Sequence, residues 1–184
     1  MVSDINTLIW LFPIAFILHD FEELILFEPW LKKNAPDIMA RVKNKVPAFM
    51  EKQLGVIVNK TTSQFALPIC LIFILTVFSS FLAVELGKFT FFLLASSLFF
   101  LHGFMHVGQA LFLRRYIPAL ITSVLVVIPY GAVLFWRLIV VQIVTFPELL
   151  VCFLFAIVLA VPFIIGMHIV GEFIYKRAIK ILVD

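Results

Sequence analysis

The chain has 184 residues, 64% of them hydrophobic and 14% charged, with 22 phenylalanines, a mean hydropathy of +1.16 and a formal net charge of +3. Soluble domains hold about half apolar and about a quarter charged residues, and a domain this small cannot hide such an excess. A water-soluble globular fold is therefore excluded, and an all-α, polytopic transmembrane helix bundle is expected as a single domain.

A hydrocarbon core about 30 Å thick takes about 20 helical residues to cross. Helices are required because backbone hydrogen bonds in lipid must close within the segment. The first candidate span covers 6–28 and carries "HDFEE" at 19–23. No basic residue precedes this run, so a cleaved signal peptide is not expected. The stretch 29–63 is the one substantial polar segment. Its prolines at 29, 36 and 47 predict short interfacial helices, and Trp30 beside Lys32 and Lys33 suits the headgroup level. The remaining spans are expected at 64–86, 88–113, 117–145 and 147–175, the fourth interrupted by Pro129, Gly131 and Arg137. Cys70 and Cys152 lie inside apolar runs and read as small hydrophobes, with no disulfide framework or thiolate cluster.

Orientation follows from the basic residues. With 29–63 in the cytoplasm, Arg114, Arg115, Lys176, Arg177 and Lys180 fall on the same side. Twelve of the fourteen Lys and Arg are then cytoplasmic, leaving Lys88 and Arg137. This predicts an N-terminus outside, a C-terminus in the cytoplasm and five spans. The basic residues are explained by topology and anionic headgroups, so nucleic-acid binding is not expected.

All four histidines, His19, His102, His106 and His168, fall inside spans, with Glu22 and Glu23 on the first and Glu172 on the fifth. A charge at the centre of a spanning helix costs about 2.5–3.5 kcal/mol on insertion scales, and such groups face the bundle interior and pair. His102 and His106 are i,i+4, as are His168 and Glu172, the spacing that points two side chains from one helix face. Counted from the basic end of each helix, His19, His106 and His168 share a level ~12 Å inside the boundary at 1.5 Å per residue. Spans one, three and five are thus expected to aim their polar groups into one pocket in the cytoplasmic half of the bilayer.

Imidazole and carboxylate without thiolate suit zinc first, then iron or manganese, as one or two ions. His19, His102, His106 and His168 are the expected ligands, with Glu23 and Glu172 as ligand or bridge. Glu22 is the candidate general base, a role exchangeable with Glu23, and Asp20 is assigned to a helix-end or lateral salt bridge. Gly103, Gly108, Gly166 and Gly171 flank the histidines, where small residues permit close helix approach.

The "HDFEE" of 19–23, followed by "PWLKKN", resembles the HXXEE-domain family of small bacterial integral membrane proteins, whose pattern here is His19, Glu22 and Glu23. "HGFMH" at 102–106 and "HIVGE" at 168–172 look like its later elements, so the resemblance extends over 14–175. It implies a membrane enzyme of the bacterial cytoplasmic membrane without naming a substrate. The residues themselves suggest metal-activated hydrolysis of a lipid or other amphipathic molecule. The rival expectations are a di-iron oxidase or oxygenase, a divalent-cation or proton transporter, and haem held by histidine pairs.

Overall fold

The computed structural model describes residues 2–58 and 61–182, and among these it is helical with no strand. Lys60, one of the basic residues of the polar stretch, lies outside the described residues. The elements are α1 (Val2–Val42), α2 (Ala48–Val58), α3 (Thr62–Leu86), α4 (Phe89–Leu113), α5 (Leu120–Thr122), a π-helical turn (Ser123–Val127), α6 (Ile128–Val140) and α7 (Phe146–Leu182). Four helices are long and apolar enough to cross a membrane: Thr62–Leu86, Phe89–Leu113, Leu120–Val140 and Phe146–Ile181. The protein is an integral membrane helix bundle.

α1 is not one of those four, yet it runs beside α3 through the same thickness. Ser80 donates to the Ile9 carbonyl at 3.0 Å, Phe16 stacks on Phe73, and Phe27 stacks on Phe65. The two helices are antiparallel. The same reading makes α4 parallel to α1, since Phe12 meets Phe92 and Phe99. The α5–α6 segment is antiparallel, because Tyr130 donates to the Leu8 carbonyl while Thr122 meets His19. α7 starts beside α4 and α6 at Phe153 and ends against α3 at Pro68. Among the described residues, five segments therefore lie side by side in the bundle.

The buried stripe of α1 is Ile5, Ile9, Phe12, Phe16 and His19, a 4-3-4-3 spacing that keeps one face inward. The apolar part packs against Phe92, Leu93 and Phe99 of α4, Phe65 and Ile69 of α3, and Leu134 and Phe135 of α6. Glycines set how closely the helices approach. A Cβ on Gly171 would sit 2.6 Å from the Pro68 ring, one on Gly131 2.2 Å from Phe100, and one on Gly103 2.8 Å from Val127. Gly108 and Gly166 have nothing within 4 Å of such an atom, so they are not packing glycines within this chain. Gly87 ends α3 at φ 63°, a left-handed conformation that glycine adopts without a Cβ penalty.

The interruption expected near Pro129 takes the form of the π-helical turn. Proline has no amide to offer the carbonyl four residues back and its ring crowds that turn. The chain widens instead, and the Ile128 amide donates to the Ser123 carbonyl five residues earlier.

One expectation is corrected. Residues 29–42 are not short helical pieces: α1 continues through Pro29 and Pro36 to Val42, and α2 alone is a separate short helix. Tertiary bonds offset the two interior prolines. Trp30 Nε1 donates to the Tyr116 carbonyl at 2.7 Å, and Arg115 donates to Asn34 Oδ1 at 2.7 Å and to Asp37 Oδ2 at 3.1 Å. The turn after α4 is thus bonded to the extension of α1.

Candidate metal centre

Below the aromatic packing of Phe12, Phe16 and Phe99, the inward stripe of α1 turns polar. Continuing the spacing past Phe16 gives His19 and then Glu23. The His19 ring, fully buried, lies edge-on to Phe99 at 5.5 Å between centroids. From α4, His102 and His106 are one turn apart and reach the same point. Their rings are 5.3 and 5.0 Å from that of His19 and 4.4 Å from each other. The two Nε2 atoms of His102 and His106 are 2.9 Å apart. One donor atom from each of His19, Glu23, His102 and His106 lies within 4.8 Å of the other three.

Three imidazoles and a carboxylate are a donor set that zinc, iron and manganese accept. Donors of a tetrahedral zinc lie about 3.3 Å apart, given bonds of about 2.0–2.1 Å, a spacing close to the 4.8 Å within which this group already lies. His19 carries the clearest sign of fit. Its Nε2 is buried with no hydrogen-bond partner, a state that costs about 1–3 kcal/mol when nothing binds.

The other ring nitrogen of His19 is held. Its Nδ1 is 3.2 Å from Thr122 Oγ1, and Thr122 is in turn anchored on Glu22. The Glu22 carboxylate accepts from Thr122 Oγ1 at 2.6 Å, the Thr122 amide at 2.7 Å, the Ile121 amide at 3.2 Å and Tyr116 Oη at 2.5 Å. Burial, and then the bond to Glu22, push the Tyr116 phenol well above its ordinary range, so it remains a donor. Glu22 therefore caps α5. The N-cap residue Ala119 has no side-chain oxygen and sits at φ 65°, so the free amides of that helix are met by a carboxylate from α1.

The structure thus separates residues that the sequence grouped. His19, Glu23, His102 and His106 come together. Glu22 is not in the gathered group; its carboxylate accepts from four donors on α5 and the turn before it. His168 and Glu172 also stand apart. The His168 ring stacks on Phe65 at 5.2 Å, and Glu172 pairs with Lys176 at 2.8 Å. The later part of α7 packs on α3, with Gly171 against Pro68 and the His168 ring on Phe65. Asp20 is in no helix-end position. It is 5% exposed, with Oδ2 buried and unpartnered, about one turn before Glu23. Sequence reasoning missed Thr122, whose place depends on how the segment after α4 packs against α1.

The fold and site define a class: a small polytopic membrane protein with a His/Glu cluster buried between two of its helices. Within that class, a family described as a protein of unknown function with HXXEE motif matches residues 10–134, more than half of the chain, and the protein belongs to this family. All four cluster residues and Thr122 fall inside the matched stretch, whereas His168 and Glu172 lie beyond it. No curated protein and no solved structure matches the chain.

Proposed function

We propose that this protein is a membrane-embedded, metal-dependent hydrolase of a lipid or other amphipathic substrate, with its site in the cytoplasmic half of the bilayer. The observation that carries the reading is the convergence of three imidazoles and one carboxylate, together with a buried His19 Nε2 that has no hydrogen-bond partner. His19, His102 and His106 would hold a divalent ion, zinc in first place. The ion, when bound, supplies Lewis acidity and lowers the pKa of a water molecule.

Glu23 then does the proton work. It is half-buried beside the three imidazoles, takes the proton of the attacking water, and returns it to the leaving oxygen of an acyl or phosphoryl ester. Phe99 and the fully buried Phe12 close the cluster on the side toward the other end of the bundle, which keeps bulk water from that direction. The same plug speaks against transport. Thr76, Ser79 and Ser96 donate to carbonyls of their own helices, and Ser80 to Ile9, so these hydroxyls cap backbone groups rather than line a path. A di-iron centre would draw on several carboxylates, and only Glu23 belongs to the gathered group.

The test is metal content of protein purified in detergent with zinc, iron and manganese all supplied. Wild type and His168→Ala should retain about one equivalent per chain, and His19→Ala and His106→Ala should lose it. Metal-free wild type, or His106→Ala that keeps its ion, would defeat the reading. Incubation of the loaded protein with a membrane lipid extract then asks for release of a free acid or phosphate.

A further inference from the structure

We propose that Thr122, held by Glu22, is a positioning residue that fixes His19 in the Nδ1–H tautomer and so aims the Nε2 lone pair into the cluster. A neutral imidazole carries its proton on one nitrogen, and the hydrogen bond at one ring position decides what the other can do. The direction of the bond at Nδ1 follows from a chain of three groups. A threonine hydroxyl has a single proton. The Glu22 carboxylate, 2.6 Å from Thr122 Oγ1, accepts and does not donate, so it takes that proton in a short charge-assisted bond.

The alternative acceptor for the hydroxyl, the Ala119 carbonyl, is 3.4 Å away and weaker. The orientation is pinned further because the Thr122 amide donates to the same oxygen of Glu22 at 2.7 Å. Only lone pairs of Thr122 Oγ1 are then left toward His19, at 3.2 Å. His19 Nδ1 must donate, and Nε2 is left bare in the interior, where no protein group meets it.

The two adjacent glutamates of the family's motif thereby have different tasks. Glu23 faces the imidazoles, and Glu22, one residue and about 100° further round the helix, works through Thr122 on the partner segment. Outer partners that orient a ligating histidine change metal affinity by about 10–100-fold when removed. The tautomer itself is independent of the metal reading, whereas its effect on affinity rests on that reading.

The experiment uses the full chain in lipid nanodiscs or bilayers with ¹⁵N-labelled histidine, comparing wild type, Thr122→Val and Thr122→Ser. Valine keeps the shape and the backbone amide but loses the hydroxyl, while serine keeps the hydroxyl. Without metal, the ¹⁵N spectrum should show the His19 Nδ1–H tautomer in wild type and Thr122→Ser, and its loss in Thr122→Val. Zinc titrated against a competing chelator should bind about 10–100-fold more weakly to Thr122→Val and near normally to Thr122→Ser. An Nε2–H tautomer in wild type, or an unaltered His19 spectrum in Thr122→Val, overturns the relay. A wild type that shows the stated tautomers and takes up no zinc leaves the relay standing and removes the metal centre instead.

Discussion

Neighbouring side chains on a helix point about 100° apart, and at Glu22 and Glu23 that rotation separates two kinds of chemistry. Glu22 has four donors within 3.2 Å on the far side of a turn. Glu23 stands with three imidazoles. Glu23→Gln is therefore expected to leave the fold and the His19 tautomer intact, and to lower any hydrolytic turnover by about 10²–10⁴-fold, the usual contribution of a general base. Zinc content and turnover measured on the same preparation check this; full turnover in the glutamine variant would remove Glu23 from the proton path. His168 shows the opposite lesson. Its i,i+4 relation to Glu172 is sound, and its depth matches His19, yet its ring lies on Phe65.

Helices are joined here through their ends as much as through their faces. The two segments antiparallel to α1 begin at the same boundary of the bundle, and α1 supplies a glutamate to each start. Glu22 meets α5, and Glu28 accepts from the amide and hydroxyl of Thr62 at 2.8 Å at the start of α3, beside the Thr61–Gln64 capping box. A carboxylate near a helix N-terminus meets both its unpaired amides and the positive end of its dipole. Along the faces, glycines are not equivalent. Gly171→Ala must push α7 away from the rigid ring and backbone nitrogen of Pro68 and should cost about 1–3 kcal/mol, as overpacking does. Gly108→Ala meets nothing and should be neutral or gain about 0.5–1 kcal/mol from better helix propensity. Thermal unfolding in one detergent compares the two; equal melting points would show that α7 does not rest on Pro68.

Across the whole molecule, the polar groups of the gathered site lie toward the end that carries Arg114, Arg115 and the extension of α1, while the other end carries Lys88 and Arg137. Arg137 lines a cavity of about 550 Å³ there with Asn6, Gly87 and Gln142. The positive-inside rule predicts that the cluster end faces the cytoplasm. With Cys70 and Cys152 replaced by alanine, Lys45→Cys should react with an impermeant maleimide only after cells are opened, and Lys88→Cys in intact cells. The reverse pattern would turn the bundle over and move the site to the other leaflet.

Hydrophobic runs of membrane length, the loop composition and the placing of His19, Glu23, His102 and His106 within those runs made the class, the helices and the members of the gathered group readable from the chain alone. The reason is that lipid solvation and helical spacing act on residues within one segment. The continuation of α1 through Pro29 and Pro36, the parting of Glu22 from Glu23, the separation of α7's polar pair and the recruitment of Thr122 were set by which helices lie together. That choice depends on the fit of surfaces far apart in sequence, such as Gly171 on Pro68 and Thr122 on His19, and no local pattern encodes it.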